Sequence, residues 1–364
     1  MKKRVIIAGG GTGGHIFPAV AIANALKKIE PETELLFVGA KGRMEMEKIP
    51  EAGYKIEGID IAGFNRSSLI KNLDLPFKLL KSFLEVRRIV RDFRPDAVIG
   101  VGGYSSFPVL RYAQAKGIPT FIHESNAFAG KANKMLGRKA EKIFVASEGM
   151  DKFFPAANIL VTGNPVRAGI KGNAISREEG IRFFGLDPLK PTIFSTGGSL
   201  GAKSINEAIA EHIGEFEKNG IQLIWQTGKP FGSRARACAA GRENIRTAEF
   251  IKDMEYAFAA ADLVISRSGA MSIAELCVVK KPVVFVPYPF AAEDHQTANA
   301  QALVRKKAGL MVRDQEANEK LAPTVIQLIK DEPGKKELID NIGKLAVTNA
   351  DEAIAKTILD RLAQ

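Results

Sequence analysis

At two points this sequence runs a short apolar segment straight into a cluster of glycines and then into a helical pattern. The first is Arg4-Val5-Ile6-Ile7-Ala8, then Gly9-Gly10-Gly11-Thr12-Gly13-Gly14 and a helix over 17–29, with Pro18 tolerated in its first turn. The second is 191–196, then Gly197-Gly198-Ser199-Leu200-Gly201-Ala202 and a helix over 203–218. Further apolar runs at 34–38, 96–100, 118–123, 142–146 and 159–162 extend the first series. Those at 221–226, 244–248, 262–266 and 282–286 extend the second. Strands that alternate with helices pair in parallel, and such sheets take ligands at the carboxyl ends of their strands. His15, Tyr104, His123, Glu124 and Asn126 should gather at one such edge.

The glycine loops indicate what is held there. Gly9, Gly11 and Gly14 fit GxGxxG, but the next strand ends in Gly39-Ala40 without the acid that binds a ribose. The loop therefore reads as a phosphate cradle without a nicotinamide, and no cofactor is expected. In the second series, Ser268-Gly269-Ala270-Met271-Ser272 joins a strand to a helix whose N-terminus favours an anion. Glu275 lies about a turn inside that helix. It either accepts hydrogen bonds from ribose hydroxyls or closes a capping box with Ser272. Asp294-His295-Gln296-Thr297 and Asn299 open another helix, and carboxamides there suit a polyhydroxylated ligand. Phosphate, ribose and sugar together indicate a nucleotide sugar.

With 364 residues the chain exceeds one ordinary core, and Gly163-Asn164-Pro165 punctuates it. The expected fold class is α/β, with two Rossmann-like domains facing across a cleft. The final helical patterns, 333–349 and 351–362, have no strand after them and should brace the pair. Cys238 and Cys277 stand far apart, which suits a reducing compartment and signals neither disulfide nor metal. Lys and Arg exceed Asp and Glu by 52 to 41, a net charge of +11. That excess suits an anionic membrane or acidic substrates better than nucleic acid, for which no recognition motif is present. Glycine interrupts the opening apolar run at Gly9, too early for a signal peptide, and no run of about 18 apolar residues could span a membrane. The expected location is cytoplasmic.

Taken together, eight segments resemble the MurG-type glycosyltransferases of bacterial cell-wall synthesis. They are GGGTGGHIFPA (9–19), GVGGYSSFP (100–108), HESNAFAGKAN (123–133), TGNPVR (162–167), GGSLGA (197–202), EFIKDM (249–254), SGAMSIAEL (268–276) and PYPFAAEDHQTANA (287–300), in family order. The resemblance implies the GT-B architecture and transfer of N-acetylglucosamine from its UDP-sugar to a lipid-linked muramyl-pentapeptide at the cytoplasmic membrane face. It implies an acceptor domain over 1–163, a donor domain over 164–344, and a C-terminal helix over 345–364 bracing the first. On the donor side it places Ser199 and Arg167 at the pyrophosphate and Ile251 at the uracil through its backbone. Ala270, Met271, Ser272, Ile273 and Ala274 would line the nucleotide, with Glu275 on the ribose and Gln296 on the sugar. Thr12, Gly13, Gly14 and Asn126 would complete the donor cleft, while His15 and Tyr104 would face the acceptor.

No Asp-x-Asp pair stands at a strand end, so a reaction without added metal is expected, with backbone N–H groups and Arg167 balancing the departing diphosphate. The family inverts the anomeric centre in one displacement, which needs a general base. His15 is the first candidate and Glu124 the second; the alternative for each is a structural role. Tyr104 is assigned to substrate positioning. Two rival readings are a UDP-N-acetylglucosamine epimerase and a nucleotide-sugar sensor without catalysis. Finally, 69–93 interleaves dense apolar residues with Lys and Arg, as an interfacial segment does. Leu75, Phe77, Leu79 and Lys81 are the expected membrane-facing residues; the alternative is an ordinary amphipathic helix whose leucines are all core.

Overall fold

The structure is a computed structural model that describes residues 2–61, 75–172, 175–291 and 294–364, without the side chains of 75–77. The chain divides into two compact units, Met1–Arg167 with Asn349–Gln364, and Ala168–Thr348. The first crossing lies a few residues beyond 163 because the punctuating segment is still packed: Val166 is buried and Asn164 Nδ2 donates to the Ser125 carbonyl at 3.1 Å.

The first unit carries β1 (Arg4–Ala8), β2 (Glu34–Ala40), β3 (Ile56–Ile59), β4 (Ala97–Gly100), β5 (Thr120–Glu124), β6 (Lys142–Val145) and β7 (Ile159–Val161). They form one parallel sheet in the order β3-β2-β1-β4-β5-β6-β7. Strand alternation sends Val5 and Ile7 to one face, against Ile16, Ile22 and Leu26 of the helix Gly13–Ile29 and Ile354 and Ile358 of the helix Ala350–Leu362. Ile6 and Ala8 point to the other face, against Val86, Ile89 and Val90 of the helix Leu75–Phe93 and Val109 and Leu110 of the helix Ser106–Ala115. Both faces are covered, so β1 reads as an unbroken apolar run. The C-terminal helix is held mainly by this apolar packing. Its ion pairs, Lys28 with Glu352 and Arg361 with Glu141, are solvent-exposed and add little.

The second unit repeats the plan with β8 (Thr192–Thr196), β9 (Gln222–Gln226), β10 (Ile245–Ala248), β11 (Leu263–Ser266), β12 (Val283–Phe285) and β13 (Leu310–Met311). Their parallel order is β10-β9-β8-β11-β12-β13. Trp225 is fully enclosed in its core, where Nε1 donates to Asn206 Oδ1 at 2.8 Å and Asn206 Nδ2 donates to the Thr227 carbonyl at 2.7 Å. Each of these buried polar groups thereby has a partner.

Two helices differ from expectation. The first starts at Gly13, not at residue 17, with Thr12 as its N-cap, so Gly13 and Gly14 form its first turn. The one expected over 203–218 is two, Lys203–Glu211 and Ile213–Lys218, parted at His212, whose ring reaches the Glu215 carboxylate and the Asn318 carbonyl. In both sheets strand order reverses beside the first strand, between β1 and β4 and between β8 and β11. Each glycine cluster lies at that switch point, where open α/β sheets form their ligand crevice.

Candidate functional site

In the first unit the two glycine loops meet backbone to backbone. Gly10 N–H donates to the Gly102 carbonyl at 3.2 Å. Gly103 has φ +88°, and a Cβ there would collide with the Gly10 carbonyl, so only glycine permits the approach. His15 lies on this junction in the first turn of its helix, with its ring against Gly102. Its Nδ1 is 2.9 Å from the Gly10 carbonyl oxygen. A carbonyl only accepts, so Nδ1 carries the proton, and in the neutral ring Nε2 is the acceptor. Burial lowers the His15 pKa, against the raising influence of the Gly10 carbonyl and of Glu124 and Glu45. The ring is thereby held toward its neutral form.

Glu124, at the end of β5, is differently engaged. Oε1 accepts from Asn126 N–H (3.1 Å) and Asn126 Nδ2 (3.3 Å), and Oε2 accepts from Gly130 N–H (3.1 Å) and Asn133 Nδ2 (2.9 Å). Four donors hold this carboxylate as the brace of the 124–133 loop. Tyr104 follows the second glycine pair and is exposed. Arg167 ends the unit, its guanidinium 4.6 Å from the centre of the Phe17 ring. Sequence reasoning missed Glu45. Its carboxylate, 1% exposed, accepts from Gly11 N–H at 2.7 Å and Ala40 N–H at 2.9 Å. An acid does serve the first loop, then, but it comes five residues after the strand and binds backbone.

In the second unit Gly201 has φ +77° and presses on the Thr227 carbonyl, closing the loop that carries Ser199. Gln226 ties that loop to Ile251: Nε2 donates to Thr196 Oγ1 (3.0 Å) and the Gly198 carbonyl (3.2 Å), and Oε1 accepts Ile251 N–H (2.9 Å). Ile251 therefore has only its carbonyl to offer a base. Ala270 to Ala274 open the helix Ala270–Val279, whose N-cap residue, Gly269, has no side chain of its own to cap it. The capping box of Ser272 and Glu275 is thus not formed, since Ser272 lies within the helix. Glu275 is 7% exposed in the second turn. Gln296 Oε1 accepts Tyr288 N–H at 3.0 Å, and its carbonyl accepts Ser268 Oγ at 2.8 Å, which sets the helix His295–Arg305 against the β11 loop.

Arg267 was also missed. It is buried, donates to the Val286 and Pro287 carbonyls, and joins Ser204 and Asp314. It therefore fixes the exits of β11 and β12 and the start of the helix after β8. Among the described residues no three His, Cys, Asp or Glu side chains group as a metal would need.

On the helix Leu75–Phe93, the side chains of Leu75 and Phe77 lie outside the described residues. Leu79 is half-exposed, and Lys81 Nζ lies 2.6 Å from Asp60 Oδ2. Leu80 and Leu84 are 64% and 61% exposed, while Val86, Ile89 and Val90 are core.

The glycosyltransferase family 28 N-terminal domain matches residues 5–145, and its C-terminal domain matches 192–356. The UDP-N-acetylglucosamine–N-acetylmuramyl-(pentapeptide) pyrophosphoryl-undecaprenol N-acetylglucosamine transferase of Phocaeicola vulgatus is 52% identical over 358 residues, covering 98% of this chain and 95% of the relative. The enzyme of the same name from Bacteroides fragilis is 50% identical over 365 residues, covering 99% and 96%. The crystal structure of Acinetobacter baumannii MurG superposes with a TM-score of 0.75 at 30% identity, covering 98% of this chain and 99% of that one. With each glycine-loop unit matched by its own domain and whole-length relatives at half identity, the chain belongs to glycosyltransferase family 28, among the MurG-type enzymes.

Proposed function

We propose that this chain transfers N-acetylglucosamine from UDP-N-acetylglucosamine to the 4-hydroxyl of the muramyl sugar in undecaprenyl-diphosphate-linked muramyl-pentapeptide. The observation that carries this reading is whole-length likeness, at about half identity, to enzymes named for that reaction. The following division of roles belongs to this reading. Nε2 of His15 takes the proton of the acceptor hydroxyl as its oxygen bonds to the anomeric carbon and the bond from that carbon to UDP breaks. N–H groups of the 197–202 loop and of the N-terminus of the helix Ala270–Val279 take up charge on the leaving diphosphate. Tyr104 positions the acceptor, and Glu124 shapes its loop. Incubation with UDP-N-acetylglucosamine and the lipid-linked muramyl-pentapeptide should release UDP only when both are present. Conversion of the UDP-sugar alone would favour an epimerase, and binding without conversion a sensor.

Glu275 binds the donor ribose in this reading. Glu275→Ala should weaken UDP-N-acetylglucosamine binding by about 1.5–3 kcal/mol, roughly 10–150-fold in Kd, as for hydrogen bonds to a charged group. A 2′,3′-dideoxyribose analogue should lose much less. Equal losses for the two nucleotides, read by calorimetry, would remove the ribose contact.

The lipid-linked acceptor is reached from an anionic cytoplasmic membrane surface, through the helix Leu75–Phe93. Leu80 and Leu84 support this, because an ordinary amphipathic helix would bury them. Lys78→Glu/Lys81→Glu should sediment less with anionic vesicles at low salt and keep its affinity for the UDP-sugar. The Lys81 pair with Asp60 is exposed, so its loss should cost folding little. Sedimentation equal to the parent's would place the membrane face elsewhere.

A further inference from the structure

One peptide unit, between Gly10 and Gly11, faces two side chains at once. Its N–H donates to Glu45 Oε2 at 2.7 Å, and its C=O accepts His15 Nδ1–H at 2.9 Å. The unit is planar and rigid, so a group that fixes one end fixes the other. We propose that Glu45 is a positioning residue for His15, an anion that acts through this peptide to hold the imidazole in its Nδ1–H tautomer with Nε2 turned to the acceptor. The proposal rests on His15 being the group that takes the acceptor's proton.

Several features make this a built arrangement. Glu45 opens the short helix Glu45–Glu51 and is 1% exposed. Its second oxygen accepts Ala40 N–H at 2.9 Å, so the carboxylate bridges the exit of β2 and the glycine loop. A Cβ at Gly10 or Gly39 would strike the Glu45 side chain, so glycine at both positions lets the acid come this close. Gly10 is held from its other side by Gly102. An ionised carboxylate accepts only, and it meets two donors; a carboxamide would have to turn an N–H toward one of them. An N–H bound to an anion makes the carbonyl of the same peptide a stronger acceptor, which favours the proton on Nδ1.

The effect on protonation has a definite sign. The groups facing His15 are Glu45, from the helix after β2, and Glu124 and His123, from the end of β5. Both carboxylates favour the imidazolium, while burial opposes it. Removing the charge of Glu45 therefore moves the His15 titration to lower pH.

The first test needs no variant. In the parent protein without substrates, side-chain 15N signals should show His15 protonated on Nδ1; the Nε2–H tautomer would overturn the proposal. In Glu45→Gln the His15 midpoint should move to lower pH and the tautomer preference weaken. An unmoved midpoint and tautomer would reduce Glu45 to a loop brace, even if activity fell. In turnover, Glu45→Gln should lose roughly 10–100-fold in kcat, the range for removing a partner that orients a functional histidine. KM for UDP-N-acetylglucosamine should hold, and the acid limb of kcat/KM should move to lower pH. Added to His15→Gln, the change should cost nothing more, because the two act as a unit. A full additional loss would mean that Glu45 acts independently of His15. Full turnover by His15→Gln alone would overturn the base reading and the catalytic consequence of Glu45, whereas the imidazole signals would still decide the coupling.

Discussion

His15→Gln should lower kcat by about 10²–10⁴-fold, the contribution of a positioned general base, with KM for UDP-N-acetylglucosamine nearly unchanged. Glutamine separates the two roles open to this residue. Its carboxamide can still donate to the Gly10 carbonyl, the one hydrogen bond that the imidazole makes in the loop. A pure anchor is therefore largely replaced, whereas glutamine has no basic lone pair for the acceptor proton. The ring packs on Gly102, which has no side chain to leave unsupported, so the variant should also keep its unfolding midpoint. A fall of less than about tenfold, with loop and stability intact, would return His15 to the anchor role and leave the base unassigned.

What could be read from the sequence was local. A short apolar run that ends in glycines needs only its own residues to declare a strand and a turn after it, and β1 and β8 follow that rule. Helix starts were less legible. Glycines 13 and 14 have poor helix propensity, so the helical pattern becomes visible only at Phe17, but the first turn is fixed by packing on the Gly102 loop. Likewise Ser272 and Glu275 have capping-box spacing, which has meaning only where the helix begins, and Gly269 begins it.

The hidden residues are those whose partners lie far off in sequence. Arg267 is completed by Asp314, Gln226 by Ile251, and Glu45 by Gly11, separations of 47, 25 and 34 residues. One sequence offers no periodicity for such pairs. Gln226 and Glu45 also bond mainly to backbone, so no complementary residue type marks their partners. Only the topology, which brings the strand exits together at a switch point, makes them neighbours.

His123 gives the second large effect, on stability and not on turnover. It stands at the end of β5, 1% exposed, and neither ring nitrogen makes a hydrogen bond among the described residues. Asn164 and the Gly163 backbone lie near enough to favour its charged form, but burial outweighs them and pushes the pKa down to about 4. Above pH 6.5 the ring is neutral in both folded and unfolded chains and costs nothing by this route. As pH falls below 6.5 the unfolded chain takes a proton that the folded one refuses, so the folded state loses ground until the ring charges near 4. The span from 6.5 to about 4 corresponds to about 3 kcal/mol, a large part of the stability of an ordinary domain. His123→Leu should remove that component: near neutral pH its stability should match or exceed the parent's, and between pH 6.5 and 4 it should lose about 3 kcal/mol less. The sole tryptophan, Trp225, lies in the core of the second unit and cannot report this. Hydrogen exchange of the β5 and β6 amides, corrected for the intrinsic pH dependence of exchange, follows the unit concerned. Equal acid losses in parent and variant would show that His123 carries its proton in the folded protein.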